Sequence, residues 1–148
     1  MTTLRRAHTL PLARLVLVGA VIALLSSCRP MNSSEASLFV ETDRLRAANG
    51  LPAYAQQETL VDQARAWAGA MAESQTLSHS NPYSWNVQWT AVAENVGSAK
   101  EIETIIRLLE ASPDHRANML SAKYTHMAVG SVRGEDGKLY VAQLFWRG

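Results

Sequence analysis

A chain of 148 residues, 47% apolar and 18% charged, has room for one domain with a core of its own. Its formal net charge is +1, but Arg5, Arg6 and Arg14 fall ahead of an apolar run near the start. Without them eleven Lys and Arg face thirteen Asp and Glu, and with no basic cluster this excludes nucleic-acid binding as the main task.

In chain order, Leu15–Leu25 (LVLVGAVIALL) comes first. It is shorter than the roughly 20 apolar residues a bilayer span needs, and behind a basic segment it reads as the core of a signal peptide. It ends in Leu25-Ser26-Ser27-Cys28, which resembles the bacterial lipobox, and Cys28 is the only cysteine. The resemblance implies a lipoprotein signal peptide over residues 1–27, cleavage before Cys28 and acylation of that cysteine. One acyl chain binds a membrane marginally, whereas two or more anchor stably. The alternative is an uncleaved anchor, or an ordinary signal with an incidental cysteine. Arg29 follows in place of Asp, which in a Gram-negative cell resembles outer-membrane sorting. The expected location is the cell envelope, outside the cytoplasm. An acylated Cys28 leaves no thiol for a disulfide or a nucleophile.

Residues 28–34 read as a lipidated tether and residues 35–148 as the domain. A helix is expected over 35–48, with Leu38, Leu45 and Ala48 on one face and Arg44 and Arg46 mostly off it. Asn49-Gly50 stops it. A second helix, about 57–75, carries Leu60, Ala64, Trp67 and Met71 as a core stripe. Residues 78–93 have no helical period and read as a loop with a turn at Asn81-Pro82. AENVG reads as extended. Ser98-Ala99-Lys100-Glu101 has the pattern of a capping box opening a third helix, with Ile102, Ile105, Ile106 and Leu109 on one face. Ser112-Pro113 begins a short helix around His115. THMAVGSVR and KLYVAQLFW are β-rich runs joined by a turn at 134–137. The order predicts an α+β layered domain with an antiparallel sheet.

P-loops, HExxH, paired CxxC and serine-hydrolase elbows are absent, so any site is assembled from separate segments. Past the leader the histidines are His79, His115 and His126. Taken singly, His79 reads as solvated in a polar loop and His126 as facing water or an edge. His115 sits near the positive end of a helix dipole, which disfavours its cation. It is either an incidental surface residue or a neutral one held for a purpose. Glu94, between Val92 and Val96, reads as half buried and wants a partner, because a buried unpaired charge is costly. Tyr83, Trp85 and Trp89 read either as pins holding the loop to the core or as an apolar wall beside a cleft.

His79 after a long amphipathic helix, then AENVG, LLEASPDHRANML, AVGSV and YVAQLFW, together resemble the SCP or CAP domain superfamily over about residues 34–147. The superfamily includes cysteine-rich secretory proteins, antigen 5 and plant pathogenesis-related proteins, and the chain is most similar to its disulfide-free bacterial branch. The resemblance implies an α-β-α sandwich, with a small antiparallel sheet between helical layers. It also implies a cleft lined by two histidines and one or two glutamates. His79, Glu94 and His115 match that pattern, with Asn95 and Ser112 beside them. Ala93 and Asp114 stand where the family has glycine, Leu109 stands where it usually has tryptophan, and no residue matches a second glutamate. Two histidines and a carboxylate suit zinc with one position open, which could support hydrolysis; the alternative is a structural hydrogen-bond cluster.

The leading expectation is an envelope-anchored lipoprotein that binds a hydrophobic ligand or an envelope component, with Tyr83, Trp85 and Trp89 as a possible ligand wall. Its rivals are a zinc-dependent hydrolase acting on peptides or cell wall, and a non-catalytic adhesion or scaffold module.

Overall fold

The computed structural model describes residues 30–148; the expected signal peptide, Cys28 and Arg29 lie outside the described residues. The elements are α1 (Ser33–Ala48), β1 (Ala55–Gln56), α2 (Glu58–Ser74), a short 3-10 helix (Pro82–Ser84), β2 (Ala91–Ala99), α3 (Ile102–Ala111), α4 (Pro113–Met119), β3 (His126–Arg133) and β4 (Leu139–Arg147). One sheet runs in the order β1-β3-β4-β2. β3 and β2 flank β4 antiparallel, and β1 adds a two-residue parallel pairing to β3, so the sheet is mixed at that edge.

Two separate cores lie on the sheet's two faces. On one, Leu60, Val61, Ala64 and Met71 of α2 pack on Ala128, Tyr140, Ala142 and Leu144. On the other, Leu38 of α1 and Ile105 and Leu109 of α3 pack on Met127, Val129, Val141 and Phe145. This is the expected α-β-α sandwich. The α2 layer sits very close to the sheet at Gly130, where a Cβ would lie 2.1 Å from the Ala64 carbonyl carbon and 2.2 Å from the Arg65 nitrogen. Only a residue without a side chain fits there.

The first helix begins at Ser33, two residues before expectation, because Asn32 and Glu35 form a capping box. Leu38 and Leu45 are buried as their spacing predicts, but Ala48 is exposed and Arg46 is inside. Arg46 Nη1 donates to the Met119 and Ser121 carbonyls, closing the C-terminal end of α4, and its guanidinium lies 3.6 Å from the Tyr54 ring centroid. A buried arginine is tolerated because these acceptors and the ring face replace water.

The expected capping box at Ser98–Glu101 does not form. Ser98 and Ala99 end β2, paired with Tyr140 and Leu139, and α3 starts at Ile102 with Glu101 at the N-cap and no side-chain cap bond. Pairing with β4 outcompetes the local cap. The terminal hairpin turns as predicted, with Gly134 N–H donating to the Lys138 carbonyl and Gly137 at φ +76°.

Candidate functional site

β2 is an edge strand, and its alternation divides the site between the two faces. Val92, Glu94 and Val96 point toward the α2 layer, where Val92 and Val96 join its core. Ala93 and Gly97 point the other way, toward α3. Glu94 therefore meets the loop that leaves α2, and Asn95 meets α4.

Glu94 has the partners its burial demands. Oε1 lies 2.8 Å from His79 Nδ1 and accepts the Ser80 N–H at 2.8 Å, while Oε2 accepts the Ser80 hydroxyl at 2.7 Å. The Glu94 side chain is 7% exposed and that of His79 64% exposed. Ser80 Oγ in turn accepts the Trp85 indole N–H at 3.0 Å. Trp85 is thus a buttress packed into the core at 5% exposure, and it also lines, with Tyr83 and Trp89, a hollow of about 340 Å³. Tyr83 is exposed and Trp89 half-buried, with ring centroids 5.6 Å apart.

On the opposite face Asn95 is fully buried. Its Nδ2 donates to the His115 carbonyl and to Gln143 Oε1, and its Oδ1 accepts from Asn118 Nδ2, each at 3.0 Å. Gln143 Nε2 continues the chain to Thr42 Oγ1 at 2.8 Å. This buried polar line fixes the backbone at His115 against the sheet. Burial holds the His115 imidazole below its ordinary pKa, the charge of His79 adds to this, and Asp114 opposes it. Ser112 occupies the N-cap position of α4 but makes no side-chain cap bond.

Two hollows carry these residues. One of about 150 Å³ holds His79, Ser80, Trp85 and Glu94. The other, about 210 Å³, is walled by Val96, Ile105, Leu109, Ser112 and His115. Its rim includes Leu77 and Leu108, which are 45% and 53% exposed. His126 instead opens β3, edge-on to Trp146 at 5.0 Å.

As a metal centre the arrangement is incomplete. Among the described residues no three His, Cys, Asp or Glu side chains are placed to hold one ion. Both Glu94 oxygens are engaged by Ser80 and His79. What the pair can do is orient the His79 ring, leaving Nε2 outward. Glu110 lines neither hollow; its Oε1 lies 4.0 Å from Arg44 Nη2.

Sequence reasoning brought together His79 and Glu94, and placed His115, Asn95 and Ser112 nearby. It missed Ser80, Leu77 and Gln143. Gln143 had a signal, as the one polar residue inside the apolar run YVAQLFW.

Comparison with known proteins agrees with this architecture. The family model for the cysteine-rich secretory protein family, CAP, matches residues 40–145. Uncharacterized protein YkwD of Bacillus subtilis is 27% identical over 112 residues, spanning 69% of this chain and 43% of that protein. The chain therefore covers less than half the length of that relative. An outer surface protein from Borrelia burgdorferi superposes with a TM-score of 0.72 at 17% identity, over 80% of this chain and 96% of that one. An extracellular SCP-domain protein from Bacillus anthracis gives 0.67 at 22% identity, over 81% and 45%. With the matched span and the sandwich in agreement, the chain belongs to the cysteine-rich secretory protein (CAP) family.

Proposed function

We propose that this protein is an extracytoplasmic, lipid-anchored binding protein whose β2-edge cleft takes the apolar part of an envelope component. The observation that carries the reading is the apolar hollow beside His115, open through the exposed side chains of Leu77 and Leu108. At about 210 Å³ it is smaller than the roughly 300–1,000 Å³ of complete small-molecule sites, so it suits one apolar portion of a larger ligand. The outward His79 Nε2 and the serines beside it supply polar contacts for the remainder. The resemblance of Leu25-Ser26-Ser27-Cys28 to a lipobox, and the outer-surface and extracellular descriptions of two structural relatives, support the location. Among the described residues no helix is long and apolar enough to cross a membrane.

The test is mass spectrometry of the protein purified from membranes, with Leu108→Glu beside it. An apolar molecule other than the anchor's own acyl chains is expected with the wild type and lost from the variant. A wild type that carries none, and takes up none from envelope extracts, overturns the reading. Hydrolysis of cell-wall peptides that a chelator abolishes would favour the zinc hydrolase instead. A surface variant with a phenotype that cleft variants lack would favour the scaffold.

A further inference from the structure

The start of the domain is bolted to one edge of the sheet. Glu35 is fully buried, and both its oxygens are engaged. Oε1 accepts from Arg65 Nε at 2.9 Å and from the Ser131 N–H at 3.2 Å. Oε2 accepts from Arg65 Nη2 at 2.6 Å and from the Asn32 N–H at 2.9 Å. Arg65 Nη2 also donates to the Pro30 carbonyl at 2.8 Å, and Asn32 Nδ2 donates to Ser131 Oγ at 3.0 Å. The segment from Pro30 to Glu35 is thus held at three points by a short network joining α1, α2 and β3. β1 pairs with β3 only at His126 and Met127, so Ser131 lies on the stretch of β3 edge that β1 leaves open, and Glu35 closes it.

The strand order puts that edge opposite the site. β3 and β2 stand on either side of β4, two strand spacings or about 10 Å apart before side chains are added. Glu94, His79 and the His115 hollow lie at the β2 edge. Cys28 is two residues from Pro30, a reach of at most about 7 Å.

From this we infer that the β3 edge, around Asn32, Ser33 and Arg65, rests on the lipid headgroups of the membrane that holds Cys28, and that the cleft faces away from that membrane. The inference rests on the reading that Cys28 is acylated. Arg65 spends its charge on Glu35, so the tether's length, not attraction to anionic lipid, sets the orientation. A cleft held this way takes its ligand from the aqueous or polymer side of the envelope, not sideways from its own bilayer.

The test uses the lipidated full-length protein in phosphatidylcholine vesicles carrying a headgroup spin-label lipid. With Cys28 acylated, an introduced cysteine is the only free thiol, so one fluorophore goes at Ser33→Cys and, in a second protein, at Leu77→Cys. The expected result is several-fold stronger quenching at position 33. Equal quenching, or stronger quenching at position 77, overturns the inference. A Gly-Ser insert of about twelve residues between Arg29 and Pro30, with a mean reach of roughly 20 Å, leaves the fold intact and is expected to abolish the contrast. A contrast that survives the insert also overturns it, because the bolt is then not its cause. Wild type and Cys28→Ser that both fail to float with vesicles would remove the anchor reading itself, and the inference with it; flotation of wild type alone with no contrast removes only the inference.

Discussion

Replacing Ser80 with alanine takes away one oxygen that serves two buried partners. The Trp85 indole N–H loses its acceptor at 3.0 Å, and Glu94 Oε2 loses a donor at 2.7 Å. Both partners are nearly closed to solvent, so water does not restore the bonds freely. A buried donor left unpaired costs about 1–3 kcal/mol, and a hydrogen bond to a charged group contributes about 1.5–3 kcal/mol. Glu94 keeps the Ser80 N–H and His79, so the second loss falls at the low end, and the total is about 3 kcal/mol. A domain with about 5–15 kcal/mol of stability still folds after that loss. With a urea slope of about 1–3 kcal/mol per molar, the unfolding midpoint drops by about 1–3 M. Urea titration followed by tryptophan fluorescence reads the shift, and the Trp85 indole proton should lose its exchange protection. A change below about 0.5 kcal/mol, the range of ordinary surface substitutions, refutes the argument that Ser80 is the buttress of the site.

Gly130→Ala forces a carbon into the backbone of α2, and because neither side can yield as a side chain would, it costs about 3 kcal/mol or more in thermal or urea unfolding. Asn95→Ala leaves Gln143 Oε1 and Asn118 Nδ2 without the partner they have in Asn95 and takes a side-chain donor from the His115 carbonyl; the expected loss is about 2–4 kcal/mol, with a changed His115 imidazole resonance in NMR. His115 has a folded pKa below its unfolded value, so the unfolded chain takes up its proton first as the pH falls. Its contribution is fully present above the ordinary histidine pKa of about 6.5 and is lost as pH drops through the folded pKa. Urea midpoints at pH 7.5 and 5 should therefore fall further for the wild type than for His115→Gln, and the reverse order would refute the assignment.

Much of the layering was legible because it depends on periodicity. Leu60, Ala64 and Met71 recur at helical spacing and all three are buried, and the β-rich terminal runs pair as a hairpin. Glu94 could be singled out because a carboxylate among valines needs a partner. That Ser80 provides two of its three contacts could not be read, since one of them is a backbone N–H that every residue but proline carries. Trp85 and its neighbours Tyr83 and Trp89 are equivalent in an aperiodic loop, and only packing separates the buried Trp85 from the half-buried Trp89 and the exposed Tyr83. The Ser98–Glu101 pattern misled because the strand partner of Ser98 is Tyr140, far along the chain. The two-residue β1 has too few residues for any pattern to register.

The sheet keeps its two cores apart, and this bears on what a ligand in the cleft does. His79 belongs to the loop leaving the α2 layer and His115 to the α3–α4 layer, so the site lies on a seam between two layers that meet through the strands and, at the far edge, through the Arg65–Glu35 ion pair. A ligand seated across the two imidazoles would brace one layer against the other, as a strut.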